Sequence, residues 1–342
     1  MTRTCHTPAF RGAQGASLPG SIAEAAYRRL GGLDQWTMIR AARSTELPLI
    51  LLHGGPGWSE TRFFRRFNAS LETAFTVVYW DQRGAGKSYQ PGIPRSSMTV
   101  EQFISDLDEL VDAVCDRLGT GQVAILGHSW GSVLGALYAA RHPEKVVAYI
   151  GCAQIGNWPE AEAASYTRGL IEAQRQGDRR ALRKLRDIGP PPYGADAVFT
   201  ERTCTMRLAG GMRLRELPKT ARALFGRHES SVFGVATAWR GFRFTMDAMW
   251  PEVSRLNVVQ LVPALQMPVW FLHGRNDPWI PAETSNAYFN ELTAPAKKLV
   301  WFEHSGHEPF VDEPDKFNRT MIEVVRPAIL GQLAAAGLSG RS

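Results

Sequence analysis

The chain has few cysteines and no long apolar run, and both shortages limit what it can be. Its 342 residues include four cysteines, and none of them has the paired spacing of zinc ligands or of a disulfide framework: Cys5, Cys115, Cys152 and Cys204. We therefore predict free thiols. No stretch approaches the roughly 18 consecutive apolar residues that a membrane helix needs, so we predict that the chain has no membrane-embedded part.

Residues 1–20 also lack the apolar centre of a secretory signal peptide. They are rich in Gly, Ala, Ser, Thr and Arg, a composition that buries little apolar surface. We predict a disordered N-terminal tail over 1–20 and a cytoplasmic protein.

A phosphate-binding loop is nearly present at 84–88, Gly-Ala-Gly-Lys-Ser, but it fails at one position. Asp81 stands five residues before Gly86, where that motif has glycine, and its carboxylate would repel a phosphate. We predict a tight turn there. His304 and His307 have no third ligand at a suitable spacing. The sequence therefore predicts no cofactor, no metal and no nucleic-acid partner.

The most informative stretch is Gly-His-Ser-Trp-Gly at 127–131. It follows the apolar run 123–126 and precedes the helical pattern 133–140, which predicts a strand, a sharp turn and a helix. A serine on such a turn is exposed as a nucleophile, so Ser129 is the candidate. A chain of this length shows the pentapeptide by chance roughly one time in ten, so its context must support the interpretation.

An acid and a base follow Ser129 in the chain. Asp277 comes shortly after the apolar run 268–272, and His307 comes after the run 299–302. The order Ser, Asp, His is that of the α/β hydrolases. In this arrangement His307 takes the proton of Ser129, and Asp277 orients the imidazole. His304 is the rival base, ranked second because the turn at Gly306 better suits a projecting His307.

A glycine-rich loop, His-Gly-Gly-Pro-Gly at 53–57, follows another apolar run at 49–52. Acyl transfer needs two backbone N–H donors aimed at the developing oxyanion. The fold takes one from this loop and one from the residue after the nucleophile. We assign Gly55 and Trp130 to the oxyanion hole.

Composition divides the chain into parts. Strand and helix patterns alternate over 49–153 and return from 261, whereas 159–255 is charged and helical. Residues 160–255 hold 17 basic and 11 acidic residues, which equals the net charge of +6 of the whole chain. We predict an α/β-hydrolase fold, a mostly parallel sheet flanked by helices, with core segments at 21–158 and 259–342 and a helical cap at 159–258.

The motifs together resemble the prolyl iminopeptidase branch of the α/β hydrolases. The resemblance covers most of the chain outside its middle and rests on these segments: 21–24, 34–36, 53–57, 81–88, 129–132, Asp277 and His307. It implies release of an N-terminal proline from peptides by a serine mechanism without metal. It also implies that glutamates of the cap bind the free imino group of the substrate.

The middle of the chain departs from that family. Where the family tends to carry Trp-Glu-Gly, the local counterpart is Trp-Arg-Gly at 239–241. An Arg240 facing the pocket would repel a protonated amine and favour a carboxylate or carbonyl oxygen. We predict substrate contacts from Trp58, Trp239 and Arg240. A second departure is His128, where the family often has glycine.

The predicted function is hydrolysis through an acyl-enzyme on Ser129, with N-terminal prolyl peptides or small amides as leading substrates. One alternative is an esterase, lactonase or acyltransferase that acts on a small metabolite. The other is a ligand-sensing module with negligible turnover. The sequence leaves the oligomeric state open.

Overall fold

Eight strands form one sheet in the order β1-β2-β4-β3-β5-β6-β7-β8. The computed structural model describes residues 6–12, 15–44, 46–209 and 232–335, so Cys5 and part of the predicted tail lie outside it. The strands are β1 Ile22–Leu30, β2 Leu33–Ala41, β3 Pro48–Leu52, β4 Thr76–Trp80, β5 Val123–His128, β6 Val146–Cys152, β7 Val269–Gly274 and β8 Lys297–Phe302.

The sheet is mostly parallel. Strand β2 pairs antiparallel with both β1 and β4, and every other neighbouring pair is parallel. Strands β3, β4, β5 and β7 are buried along their whole length, as their near-continuous apolar sequences require of strands covered on both faces. The predicted α/β-hydrolase architecture is confirmed.

Helices cover both faces of the sheet. They are α1 Thr61–Phe67, α2 Val100–Leu118, α3 Trp130–Arg141, α4 Trp158–Arg175, α5 Arg179–Ile188, α6 Ala195–Leu208, α7 Val232–Val253, α8 Val258–Leu261, α9 Ala282–Glu291, α10 Pro309–Asp312, α11 Pro314–Arg319 and α12 Arg326–Ala335. The side chain of Thr99 caps the start of α2 by accepting from the N–H of Gln102, and left-handed Gly119 ends that helix. A short π-helical turn, Thr320–Val325, joins α11 to α12.

The helices α4 to α8 are inserted between β6 and β7. Asn157 and Asn257 cap α4 and α8 and pair with each other in an isolated antiparallel bridge. The insertion thus leaves the sheet and returns to it at one point. These two positions lie within two residues of the limits predicted for the cap, 159–258.

The turn predicted at 84–88 is present. Gly86–Ser88 forms a single 3-10 turn, and Oδ2 of Asp81 accepts from the N–H of Lys87 at 2.8 Å. The protein's own carboxylate is therefore the acceptor for a backbone amide of this loop.

The N-terminal segment differs from the prediction of a disordered tail. Nη1 of the buried Arg40 donates to Oγ1 of Thr7 and to the carbonyl oxygen of Pro8, both at 2.7 Å, and its guanidinium lies over the ring of Phe10. Thr7 is itself buried. A buried arginine needs acceptors, and this segment supplies two of them in addition to the carboxylate of Glu72. Composition did not reveal that need because Arg40 lies on a distant strand.

Candidate active site

The predicted reactive residues follow four different strands at the same edge of the sheet. Gly55 follows β3, Ser129 follows β5, Asp277 follows β7 and His307 follows β8. Because these strands are parallel, their carboxyl ends meet at one edge, which is where open α/β sheets bind ligands. The fold brings the four segments together.

Ser129 lies on a strained turn. Its φ is 52° and its ψ is −117°, outside the regions that L-residues prefer. Such a residue costs on the order of 1–3 kcal/mol. A Cβ on Gly127 would lie 2.2 Å from the carbonyl oxygen of Gly131, and one on Gly131 would lie 2.0 Å from that of Leu52. Close approach of the backbone therefore requires glycine on both sides of the turn.

Asp277 and His307 form a hydrogen-bonded pair. Oδ2 of Asp277 lies 2.8 Å from Nδ1 of His307, and its Oδ1 accepts from the N–H groups of Trp279 and Ile280 at 2.9 and 3.0 Å. Burial opposes the ionisation of Asp277. The charge and hydrogen bond of His307 outweigh burial and hold the pKa of Asp277 at about 2. The carboxylate is thus ionised and held in place on both oxygens.

The imidazole of His307 is mostly buried between two rings. Its centroid lies 4.6 Å from the Trp279 ring and 4.8 Å from the His128 ring. Burial lowers the pKa of His307 below its ordinary value, and Asp277 opposes that shift. His307 is therefore neutral near pH 7, as a general base must be. The rival, His304, has an exposed side chain.

The two loops assigned to the oxyanion hole are held by hydrogen bonds to the β4 loop. The indole of Trp130 donates to Oε1 of Gln82 at 3.0 Å, and Nε2 of Gln82 donates to the carbonyl oxygen of His53 at 3.1 Å. Gly55 has a φ of 114°. Trp130 is the first residue of α3, so its N–H has no partner within the helix. The N–H of Trp130 is therefore a backbone donor at the position that the motif assigns to the oxyanion hole, directly after Ser129.

Three charged residues of the inserted helices lie beside this site and were missed in the sequence. Arg202 forms ion pairs with the buried Glu162 and with the buried Glu201, the latter at 3.2 Å. Its guanidinium lies over the ring of Trp279, 5.7 Å from the centroid, and its carbonyl oxygen accepts from the indole at 3.2 Å. Trp279 therefore separates these charges from His307 by one ring.

Burial raises the pKa of Glu162 to about 7, although the charge of Arg202 opposes the shift. The carboxylate of Glu201 adds to the increase because it is a nearby like charge. Two buried carboxylates thus share one guanidinium. The sequence around Glu162 and Glu201 does not indicate that they are buried, because a charged residue on a helix usually faces solvent.

The three residues predicted to contact substrate occupy different environments. Trp58 is half-buried and packs edge-on against Phe242, with ring centroids 5.3 Å apart. Trp239 is 52% exposed and Arg240 is exposed. The interpretation of Arg240 as a cation inside the pocket is therefore not supported by its position. Within the described residues, an arginine that does lie near the reactive residues is Arg202, on α6, which the local match to the Trp-Glu-Gly motif could not reveal.

Within the part of the chain that the structure describes, no group of three or more His, Cys, Asp and Glu side chains could hold a metal ion. In the same residues, no helix is both long enough and apolar enough to cross a membrane.

Comparison with known proteins shows the family. A family model described as the alpha/beta hydrolase fold matches residues 48–184. The chain is also 32% identical over 307 residues to a curated relative, a match that covers 88% of this chain and 96% of the relative. The chain belongs to the α/β-hydrolase fold family. That relative is named Probable aminopeptidase YbaC, of Bacillus subtilis strain 168.

Two further matches agree with the resemblance found in the sequence. A proline iminopeptidase of Saccharolobus solfataricus is 23% identical, over 90% of this chain and 92% of the relative. The solved structure of a proline iminopeptidase-related protein from Thermus thermophilus has a TM-score of 0.64 at 19% identity, covering 90% of this chain and 98% of that one. The prediction of an enzyme of the α/β-hydrolase superfamily, similar to the proline iminopeptidases, is confirmed.

Proposed function

We propose that this chain is a serine hydrolase that works through an acyl-enzyme on Ser129. The observation that carries the proposal is the 2.8 Å contact of Asp277 with His307, at the sheet edge where Ser129 occupies its strained turn. The contact commits Nδ1 of His307 to Asp277, which leaves Nε2 to exchange a proton with substrate and nucleophile.

The reaction has two halves. As Oγ of Ser129 attacks the substrate carbonyl carbon, its proton passes to His307, and the N–H groups of Gly55 and Trp130 stabilise the oxyanion. His307 then gives that proton to the leaving group as the bond to the carbonyl carbon breaks. Water attacks the acyl-enzyme, its proton passes to His307, and Ser129 recovers a proton as the acid product leaves.

The proposed substrates are peptides or small amides with a free N-terminal amine, and peptides with an N-terminal proline are the leading candidates. The inserted helices form the cap, and Glu162 and Glu201 are the carboxylates that face the amine. Among the residues that the structure describes, Arg202 is the one cation paired with them, so the ionised pair keeps one uncompensated negative charge, which a substrate ammonium would neutralise. The buried hydroxyl of Tyr193, whose pKa is raised by burial and then by both carboxylates, has no hydrogen-bond partner among the described residues. Relatives named aminopeptidase and proline iminopeptidase support the same class.

A second candidate is an esterase or amidase acting on small molecules without a free amine. Arg202 favours it, because this cation already pairs with both glutamates and would repel an ammonium. The two candidates differ in what they require of the substrate: the first needs a free amine and the second does not.

A matched substrate panel tests the proposal. It contains prolyl, alanyl and N-acetyl-prolyl arylamides together with short and long acyl nitrophenyl esters. We expect Ser129→Ala to abolish all turnover and Glu201→Gln to weaken cleavage of the free prolyl amide while sparing the esters. Asp196→Asn, an exposed change on the same helix, is the matched control. Cleavage of the esters alone by the unmodified protein would overturn the amine-dependent function, and turnover that survives Ser129→Ala would overturn the serine mechanism.

A further inference from the structure

His128, the residue before the nucleophile, is buried with a hydrogen-bond acceptor on each ring nitrogen. Nδ1 lies 2.7 Å from Oε1 of Glu60, and Nε2 lies 2.8 Å from the carbonyl oxygen of His307. Both side chains of the first pair are only 3% exposed. A neutral imidazole has one N–H, so a histidine that donates to both acceptors carries two protons.

Glu60 extends the contact to the opposite loop. The same oxygen, Oε1, accepts from the N–H of Gly54 at 3.0 Å. A Cβ added to Gly54 would lie 2.9 Å from Oε1 of Glu60, 3.2 Å from Nδ1 of His128 and 3.2 Å from Cβ of Ser129, so these groups converge on that glycine. The contacts thus run from the glycine loop through Glu60 and His128 to the backbone of His307.

The surroundings of His128 favour its charged form. Burial disfavours the cation, but the charge and hydrogen bond of Glu60 outweigh it, with smaller help from Glu308, and raise the pKa of His128 to about 9. The titratable groups that interact with the charge of His128 come from four further elements: Glu60 before α1, His53 after β3, His273 on β7, and His307 with Glu308 after β8. Burial also raises the pKa of Glu308 to about 7, opposed by the charge of His128.

We propose that His128 is a positioning residue for acyl transfer: its two N–H groups hold the backbone of His307 and, through Glu60, the loop that carries Gly55. This inference rests on the proposed function, because it assigns the base to one end of the contact and the oxyanion donor to the other. His128 itself does not touch the reacting atoms. Its loss moves the base and the oxyanion hole relative to each other, and displacements of about 1 Å cost on the order of 100-fold in rate.

The inference is tested by the pH profile of kcat for a short acyl nitrophenyl ester, which has no titrating amine of its own. We expect kcat to reach a plateau and then to fall above about pH 9, where His128 loses its second proton. Glu60→Gln removes the charge that stabilises the cation, so the fall should move to lower pH by at least about one unit. His128→Gln should lower kcat on the order of 100-fold with little change in KM and remove the fall near pH 9.

His304→Gln is the matched control, an exposed histidine on the same loop as His307, and it should keep the profile of the unmodified protein. Unchanged profiles and kcat in both Glu60→Gln and His128→Gln would overturn the positioning role. If His128→Gln does not fold, the profiles of the unmodified protein and Glu60→Gln decide. Ser129→Ala separates the two claims: ester turnover that persists there rejects the serine mechanism, whereas its loss together with normal His128 variants rejects only the positioning role.

Discussion

Trp279 packs its indole ring against the imidazole of His307, with the ring centroids 4.6 Å apart. Through its N–H the same residue donates to Asp277, and through its indole it donates to the carbonyl oxygen of Arg202. One residue therefore contacts the proposed base and the charged group of the inserted helices through its side chain, and the acid partner of the base through its backbone N–H. The indole ring of Trp279 thus lies between this charged group and His307, so a displacement of Arg202 would act on His307 through that ring.

Asp277→Asn replaces the carboxylate that pairs with His307 by an amide. An amide cannot stabilise the imidazolium and favours the wrong tautomer of His307, so kcat should fall by about 10⁴-fold with KM little changed. Steady-state kinetics on an ester substrate measure this. Asp34→Asn, at an exposed aspartate, should leave both constants unaltered. A loss below tenfold in Asp277→Asn would show that another group orients the histidine.

The acid side of the pH profile follows from the lowered pKa of His307. Only the neutral imidazole accepts the proton of Ser129, so kcat/KM on an ester should rise with pH, and its midpoint should lie below the ordinary histidine value of about 6.5. A midpoint above that value would contradict the effect of burial. The measurement is initial rate from pH 4 to 8, in buffers of constant ionic strength.

Recognition of the amine should depend on the ionisation of Glu162. Its pKa of about 7 means that it is neutral below that pH and an anion above it. The KM for a free prolyl arylamide should therefore fall as pH rises through 7, while that of the N-acetylated analogue stays constant. Glu162→Gln should remove this dependence, and Glu160→Gln, an exposed change on the same helix, should keep it. Identical trends for both substrates would exclude Glu162 from the amine site.

The glycines around the turn give a prediction about stability. A Cβ on Gly131 would lie 2.0 Å from the carbonyl oxygen of Leu52, which is backbone and cannot move aside, so Gly131→Ala should destabilise the fold by more than about 3 kcal/mol. Gly121→Ala meets no atom within 4 Å and should change the free energy of unfolding by less than about 0.5 kcal/mol. Urea unfolding followed by circular dichroism compares the two. Equal stability would mean that the close approach to Leu52 is not maintained.

Strain at the nucleophile predicts a difference in stability between two inactive variants. Ser129→Gly and Ser129→Ala should both be inactive, but glycine adopts a φ of 52° without the steric cost that alanine retains. The glycine variant should therefore be more stable than the alanine variant by about 1 kcal/mol in the same unfolding assay. An alanine variant of equal or greater stability would show that the turn is not strained.

Sequence patterns predicted the candidate reactive residues because each follows an apolar run that is typical of a strand, and because serine, aspartate and histidine are the residue types that acyl transfer uses. Each of Ser129, Asp277 and His307 follows an apolar run and lies near a glycine. The carboxyl ends of parallel strands meet at one edge of the sheet, whatever the length or conformation of the loops between them. The fold class followed from the same alternation of strands and helices. Neither inference needed knowledge of the side-chain packing.

The remaining features depended on packing, and little in the sequence indicated them. Glu201 and Arg202 read as ordinary charged residues on a helix, and their burial is set by how α4 and α6 meet Trp279. Glu60 stands 68 residues from His128, a separation that no local motif spans. Trp239 and Arg240 match a family motif and yet are exposed, because residue types on a helix do not by themselves decide which side of the helix faces inward.

The bridge between Asn157 and Asn257 makes the inserted helices a segment that can be replaced as one unit. Chain entry and exit meet there, so a different helical segment spliced between these two positions would leave the register of β6 and β7 as it is. New specificities could then evolve by replacement of one contiguous block of sequence, while the chemistry at the sheet edge is inherited unchanged.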